Sequence, residues 1–387
     1  MNLIDICELI VDCPHSTAND EGNGYPLIRT PNVGKGYLIL DGVHRVSKEV
    51  YDVRNARAIP QADDIILARE APAGNVALIK EGQKVCLGQR TVLIRPDKQK
   101  VNPSFLTYYL LSPAKQHDFK SAANGATVEH INMPKIRGLK ISLPPRHIQD
   151  SIATTLSRYD ALIANYHRQI KLLEEAAQRL YKEWFVDLHF PGHENVKVVD
   201  GVPEGWEKKK LVDIADVVMG QSPQSKYYNN DKEGLPFHQG VGSYGTRFVI
   251  DEVYSSSLTR IAEANSVLFS VRAPVGRLNI TKNKIVIGRG LASLNHKWGK
   301  QSFLFYLLKE RFFKDNIIGN GAIFASISKM ELLELKFVIP TEELVERFNA
   351  IASQIDKDIA NIDTQLSLLA ESRDRLLPKL MSGEIEL

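Results

Sequence analysis

Residues 3–11, LIDICELIV, carry the same order of apolar and acidic side chains as residues 211–219, LVDIADVVM, 208 positions further on. The match recurs in blocks. Ala71-Pro72-Ala73-Gly74 answers to Ala273-Pro274-Val275-Gly276, Val85-Cys86-Leu87-Gly88 to Ile285-Val286-Ile287-Gly288, and FLTYYLL from Phe105 to FLFYLLK from Phe303. Asn124-Gly125-Ala126 then meets Asn320-Gly321-Ala322. Across these blocks the offset falls through 202, 200 and 198 to 196, as it does when insertions collect in loops. The chain is a tandem duplication, so each half must find the same fold.

From Asn124 onward the offset holds at 196 without a gap. A long helix is the element that least tolerates an inserted residue, because one insertion rotates everything beyond it by about 100°. Both segments are expected to be helices. In the first, Ile152, Leu156, Tyr159, Ile163, Tyr166, Ile170, Leu173, Ala177, Leu180 and Trp184 advance in steps of four and three, the a/d seam of a coiled coil. The second carries Leu344, Phe348, Ala352, Ile355, Ile359, Ile362, Leu366 and Leu369, breaks at Arg373 and resumes at Leu376, with Pro378 expected to end the helix.

A helix of about 36 residues runs about 54 Å, longer than a domain of about 140 residues is wide. Left exposed, each seam residue would forgo roughly 1.5–3 kcal/mol, so a partner helix is favoured over packing on the helix's own globular domain. The other copy is the obvious partner. A parallel pair would need the linker at 188–205 stretched along the whole coil at about 3.3 Å per residue, so the pair is expected to be antiparallel, with a globular domain at either end.

The expected fold class is α+β: a mixed α/β domain followed by a long helix, duplicated, the two helices forming an antiparallel intrachain coiled coil. The boundaries are a first domain at 1–143, a first helix at 144–187, a linker at 188–205, a second domain at 206–339, a second helix at 340–380 and a tail at 381–387. Short strands are expected at Ile65 to Ala68, Val76 to Ile79, Thr91 to Ile94, Ser266 to Val271 and Lys284 to Ile287, with helices at Ser104 to Leu111 and Gln301 to Arg311.

Forty-nine Lys plus Arg against 46 Asp plus Glu leave +3, which announces no nucleic-acid binder but leaves room for locally basic faces. Three cysteines, Cys7, Cys13 and Cys86, fit neither a disulfide framework nor a paired zinc site. Asp5, Glu8 and Asp12 interrupt the opening apolar stretch before the first Lys or Arg, Arg29, and no apolar run approaches the ~18 residues of a membrane span. A reduced, cytoplasmic protein is expected, with no membrane partner.

Catalytic signals are scarce. GVGSYG at 240–245 fits G-x-G-x-x-G, but Thr246 to Glu252 after it reads as a strand, where a dinucleotide site needs a helix N-terminus, so a turn is expected. No GxxxxGK[ST] occurs. His189 and His193 lack an acidic or cysteine third ligand and are assigned to a flexible linker. Neither a catalytic residue nor a metal site is expected.

What remains is polar and basic loops at matching places. The first half offers Arg29, Thr30, Asn32, Lys35, Gln89, Arg90, Asn124, Thr127 and His130; the second offers Gln221, Tyr227, Tyr228, His238, Gln239, Arg272, Arg289 and Asn320. Arg, Asn, Gln and Lys read base edges in the major groove, while Ser, Thr and Tyr hold phosphates. Taken singly each is an ordinary loop side chain; the duplicated arrangement is what points to DNA.

Over essentially its whole length the chain resembles the specificity subunit of type I restriction-modification enzymes. The carriers are VPEGW at 202–206, LVDIADVVMGQSP from Leu211, the NGA turns, and the proline-initiated helices LPPRHIQDSIATTLSRYDALI from Leu143 and IPTEELVERFNAIASQIDKDI from Ile339. His147-Ile148-Gln149 departs from the family's acidic pattern, and the first repeat lacks the Pro-Glu-Gly-Trp segment. The resemblance implies two target-recognition domains and a helix pair that spaces a bipartite double-stranded DNA site. It also implies docking to two adenine methyltransferase subunits and to restriction subunits that translocate DNA. S-adenosylmethionine, ATP and magnesium would belong to those partners. The alternative is a coiled-coil scaffold or adaptor that binds no specific DNA.

Overall fold

The computed structural model describes residues 1–124, 130–312 and 326–386. It divides into two compact units, Met1–Tyr166 with Gln365–Leu387, and His167–Thr364.

Unit 1 is built on two small sheets. β1 (Cys7–Asp12), β2 (Tyr25–Ile28), β3 (Arg45–Val46), β4 (Ile65–Ala68), β5 (Val76–Leu78), β6 (Cys86–Leu87) and β7 (Thr91–Pro96) supply them. One sheet runs β1-β7-β4-β5, all antiparallel; the other runs β3-β2-β6, with β2 and β6 parallel. β4 and most of β7 are buried on both faces, which is why they read as unbroken runs of Ile, Leu and Val rather than alternating ones. A short ladder pairs β8 (Ala123–Asn124) with β9 (His130–Ile131). Helix Pro103–Leu111 starts on Asn102, whose side chain accepts the Phe105 N–H, and buries Phe105, Leu106 and Leu110.

Unit 2 repeats this plan with additions. β10 (Val198–Val199) and β11 (Val202–Pro203) form a hairpin, and β12 (Glu207–Lys210) pairs with the last strand. β13 (Ala215–Met219), β14 (Tyr228–Asn229), β15 (Leu235–His238), β16 (Tyr254–Ser255), β17 (Ile261–Ala262), β18 (Val267–Ser270), β19 (Leu278–Ile280), β20 (Ile285–Ile287), β21 (Leu291–His296) and β22 (Lys336–Ile339) complete it. Sheet β13-β21-β18-β19 matches β1-β7-β4-β5, and β14-β16-β15-β20-β17 contains the counterpart of β3-β2-β6, including its parallel pair. The expected strands and helices fall within one or two residues of their places. Thr246 to Glu252 does not form the expected strand: Phe248 and Val249 make only isolated bridges, and Val241–Ser243 before them is a single 3-10 turn.

The two long helices are Arg146–Phe185 and Glu342–Ser382. Each unit takes turns from both. In unit 1, Ile152 and Leu156 of the first helix share a core with Leu376, Leu377 and Leu380 of the second. In unit 2, Ala177, Tyr181 and Trp184 pack with Leu344, Phe348 and Ala352. Early turns of one helix thus meet late turns of the other, in the antiparallel order expected of the coil. The seam positions are all buried or half-buried, whereas Leu162, Leu172 and Leu368 between them are exposed, so the apolar stripe is as narrow as the heptad spacing requires.

Pro378 does not end the second helix, which runs on to Ser382. The proline removes one backbone donor, but burial of Leu380 and packing of Leu376, Leu377 and Met381 outweigh that loss. Gly383, at φ 75°, supplies the stop, with the Glu384 N–H bonded back to Lys379 C=O. The 188–205 segment is folded rather than flexible: Phe190 is buried against Trp206, and the β10-β11 hairpin follows it.

His296, at the end of β21, is buried beside Trp298 and Phe303, and its Nδ1 accepts the Trp298 N–H. Burial, then Lys300, pushes its pKa down to about 4. The folded protein holds the ring neutral while the unfolded chain protonates it near 6.5. Its contribution is therefore complete above pH 6.5 and is lost as pH falls toward 4. Between pH 7 and 5 the chain is expected to lose about 2 kcal/mol through this residue. Urea unfolding at the two pH values measures the loss, and a His296→Asn variant with an unchanged pH slope would refute the assignment.

Candidate nucleic-acid interface

In unit 1 several loops leave one edge of the sheets: those after Asp12 of β1, Ile28 of β2 and Ala68 of β4, and the Gly88-Gln89-Arg90 turn between β6 and β7. Backbone bonds tie them together, Cys13 N–H to Thr91 C=O, Gly88 N–H to Ile28 C=O, and Arg69 N–H to Arg90 C=O. Beneath them lies Arg69, 5% exposed. One guanidinium nitrogen reaches both Asp12 oxygens at 2.8 and 2.7 Å, Nε donates to Ile131 C=O at 2.9 Å, and the third nitrogen stands 2.7 Å from His130 Nε2.

A guanidinium only donates, so His130 Nε2 accepts and the ring is neutral, with its Nδ1–H facing Glu70 at 3.6 Å. Burial, then the cations of Arg69 and Arg90, hold its pKa below the usual histidine value. Glu70 in turn carries Arg90 at 3.0 Å, and Asp12 carries the exposed His15 at 3.2 Å. Asp12, Arg69, Glu70 and Arg90 balance one another's charge, which gives the loop edge a fixed polar floor.

The same backbone bonds recur in unit 2: Gly220 N–H to Leu291 C=O, Gly288 N–H to His238 C=O, and Val271 N–H to Gly290 C=O. The side chains differ. Ser222 donates its hydroxyl to Gln239 Oε1 at 2.8 Å and accepts the Arg289 N–H at 3.2 Å, while Thr259 donates to Gln221 C=O at 2.6 Å. Gln221, Gln239, Arg272 and Arg289 are exposed.

The structure therefore brings Arg29, Gln89, Arg90 and His130 to one edge, and Gln221, Gln239 and Arg289 to the matching edge, with Arg272 two residues beyond β18, the counterpart of β4. Lys35 is exposed further along the loop after β2. Asn32 and His238 are not free readers. Asn32 is buried, accepting the Arg29 N–H and donating to Ile39 C=O; His238 is buried between Ser243 and Asp251. Thr30 is buried too. Tyr227 is exposed beneath Lys226, and Tyr228 stacks on Phe237 with its hydroxyl on Pro223 C=O. Thr127, Asn320 and the side chain of Asn124 lie outside the described residues.

Sequence reasoning missed Asp12, Arg69, Glu70 and Ser222. At the repeat's offset of 208 Ser222 falls opposite Pro14, while the backbone bonds pair Cys13 with Gly220, so no signal in the sequence marked Ser222. Among the described residues no cluster of His, Cys, Asp and Glu could hold a metal ion, and no helix is long and apolar enough to cross a membrane.

Two equivalent α/β units, each closed by turns of two shared long helices and each presenting a polar loop edge, define a duplicated recognition protein. The model of the type I restriction modification DNA specificity domain matches residues 1–175 and 203–369. The chain is 31% identical over 397 residues to a protein of Methanocaldococcus jannaschii assigned to the MjaX type I restriction enzyme as its specificity subunit, covering 99% of this chain and 92% of that one. It is 26% identical over 364 residues to the MjaIX specificity subunit of the same organism, covering 90% and 83%. Its fold matches the crystal structure of the type I restriction-modification S subunit from M. genitalium, with a TM-score of 0.58, 17% identity and coverage of 98% and 95%. The chain belongs to the type I restriction-modification specificity subunits, the non-catalytic subunits that recognise the DNA target.

Proposed function

We propose that the loop edges of the two units are the surfaces that read DNA, one half-site each, with 1–143 and 206–339 as the recognition domains. The two long helices fix the number of unread base pairs between the half-sites. The observation that carries this reading is the duplication of the loop edge itself: the same backbone bonds hold loops bearing Arg and Gln in both units, the residue types that address base edges in the major groove. Phosphate contacts come from exposed Lys35 and Arg272 and from loop N–H groups.

By family kinship the chain docks methyltransferase subunits, which bring S-adenosylmethionine, and restriction subunits, which bring ATP and magnesium. The test is a methylation map of genomic DNA from cells that express the chain with its methyltransferase, against cells lacking the chain. A gapped two-part motif that vanishes with the chain is the expected result. If an active methyltransferase complex leaves no chain-dependent motif, the scaffold reading replaces this one.

A further inference from the structure

The two units hold one arginine and one glutamine at corresponding loop positions, in exchanged places. β2 lies parallel to β6 with Ile28 beside Leu87, and β15 parallel to β20 with His238 beside Ile287. The residues that follow therefore correspond: Arg29 with Gln239 in one loop, and Gln89 with Arg289 in the other. The glycines agree. A Cβ on Gly88 would stand 2.8 Å from Arg29 Cγ, and one on Gly288 would stand 2.6 Å from Gln239 Oε1. In both units the first side chain lies across the glycine that precedes the second. Unit 1 thus offers Arg then Gln, and unit 2 offers Gln then Arg.

We propose that each half-site contains a G·C pair next to an A·T pair. Guanine is read by Arg29 in one half-site and by Arg289 in the other, and adenine by Gln89 and Gln239, so the order of the two base pairs is reversed between the frames of the two units. The proposal rests on the loop edges being the DNA face. The arginine fork matches guanine O6 and N7, and the glutamine amide matches adenine N6 and N7. Neighbouring strands are about 4.8 Å apart and base pairs about 3.4 Å, so side chains from adjacent loops reach adjacent base pairs. Gln239 gives one lone pair of Oε1 to Ser222, keeping a second lone pair and both N–H donors for adenine. Arg29 Nε is buried without a partner among the described residues. Arg90 stands outside the pattern, because it is paired with Glu70 and its counterpart is Gly290, which has no side chain.

The experiment is the methylation motif of the whole complex assembled with variant full-length chains. Arg289→Lys keeps the charge and loses the fork; Gln239→Ala loses the amide. Each is expected to lower the preference at one base pair of one half-site by about tenfold or more, guanine for the first and the adjoining adenine for the second, with the other half-site unchanged. The double exchange Gln239→Arg with Arg289→Gln is expected to interchange the two positions. If the substitutions relax positions that are not adjacent, or that are not G·C and A·T, the pairing is overturned while the loops remain the DNA face. If folded, methylating variants leave the motif untouched, both the pairing and the placement of the DNA face fall.

Discussion

Replacing Arg247 by alanine is expected to cost unit 2 about 3–5 kcal/mol, because it strands a carboxylate in a packed setting. Arg247 is 2% exposed, pairs with Asp356 at 2.5 Å, stands 3.7 Å from Glu174, and rests 3.6 Å above the Phe305 ring. Tyr306 donates its hydroxyl to the same Asp356 oxygen at 3.0 Å, and burial holds that hydroxyl protonated. The loss should appear as a lower urea midpoint for the full chain at neutral pH. Arg247→Met with Asp356→Leu, which removes both charges, should recover part of it, since a buried pair costs most when only one member goes. Equal destabilisation by the single and double variants would show that stacking on Phe305, not the ion pair, holds this loop to the helix.

Unit 1 solves the same problem with a different cation. Tyr108 donates to Asp160 at 2.6 Å, the counterpart of Tyr306 on Asp356, but the position of Arg247 is taken by Gly36, at φ 95° and with the Asp160 carboxylate beside it. The positive charge comes instead from Arg373 of the second long helix, 2.8 Å from Asp160. The requirement for an anchored aspartate is common to both copies, while the arginine that meets it can arrive from a loop or from a helix.

That difference marks where the sequence stops being legible. The helices could be read because a gapless offset and a heptad stripe extend over some forty residues, and inner strands such as β4 because burial on both faces leaves an apolar run; β21, LASLNH, is as buried but went unread because Ser293 and Asn295 break the run. Pro378 misled because local backbone chemistry was set against the burial of Leu380, which sequence spacing alone does not weigh. The equivalence of Arg29 and Gln239 was hidden because insertions raise the offset to 210 there, and YPLI and LPFH share only their proline in register. Asn32 and His238 looked like readers because the side chains that hold a loop together are the same polar types that would read a base. Only their hydrogen-bond partners, Ile39 C=O for one and Asp251 for the other, separate the two roles.

The largest functional effect is expected from shortening the helices. Seam contacts place Asp160 beside Arg373 in unit 1 and Tyr181 beside Phe348 in unit 2, so position sums near 530 meet in the antiparallel pair. Deleting residues 162–168 and 362–368 together removes one heptad from each helix. The remaining seam keeps its face, because seven residues turn the helix by about 700°, within about 20° of two full turns. The coil loses about 10 Å, close to three base pairs at about 3.4 Å each. The expected methylation motif has both half-sites intact and a gap shorter by three base pairs. The deletion leaves every residue of the two loop edges in place, so a change in the half-sites themselves would mean that the helices shape the reading surface. A folded, methylating variant with an unchanged gap would mean that the partner subunits, not this chain, measure the distance.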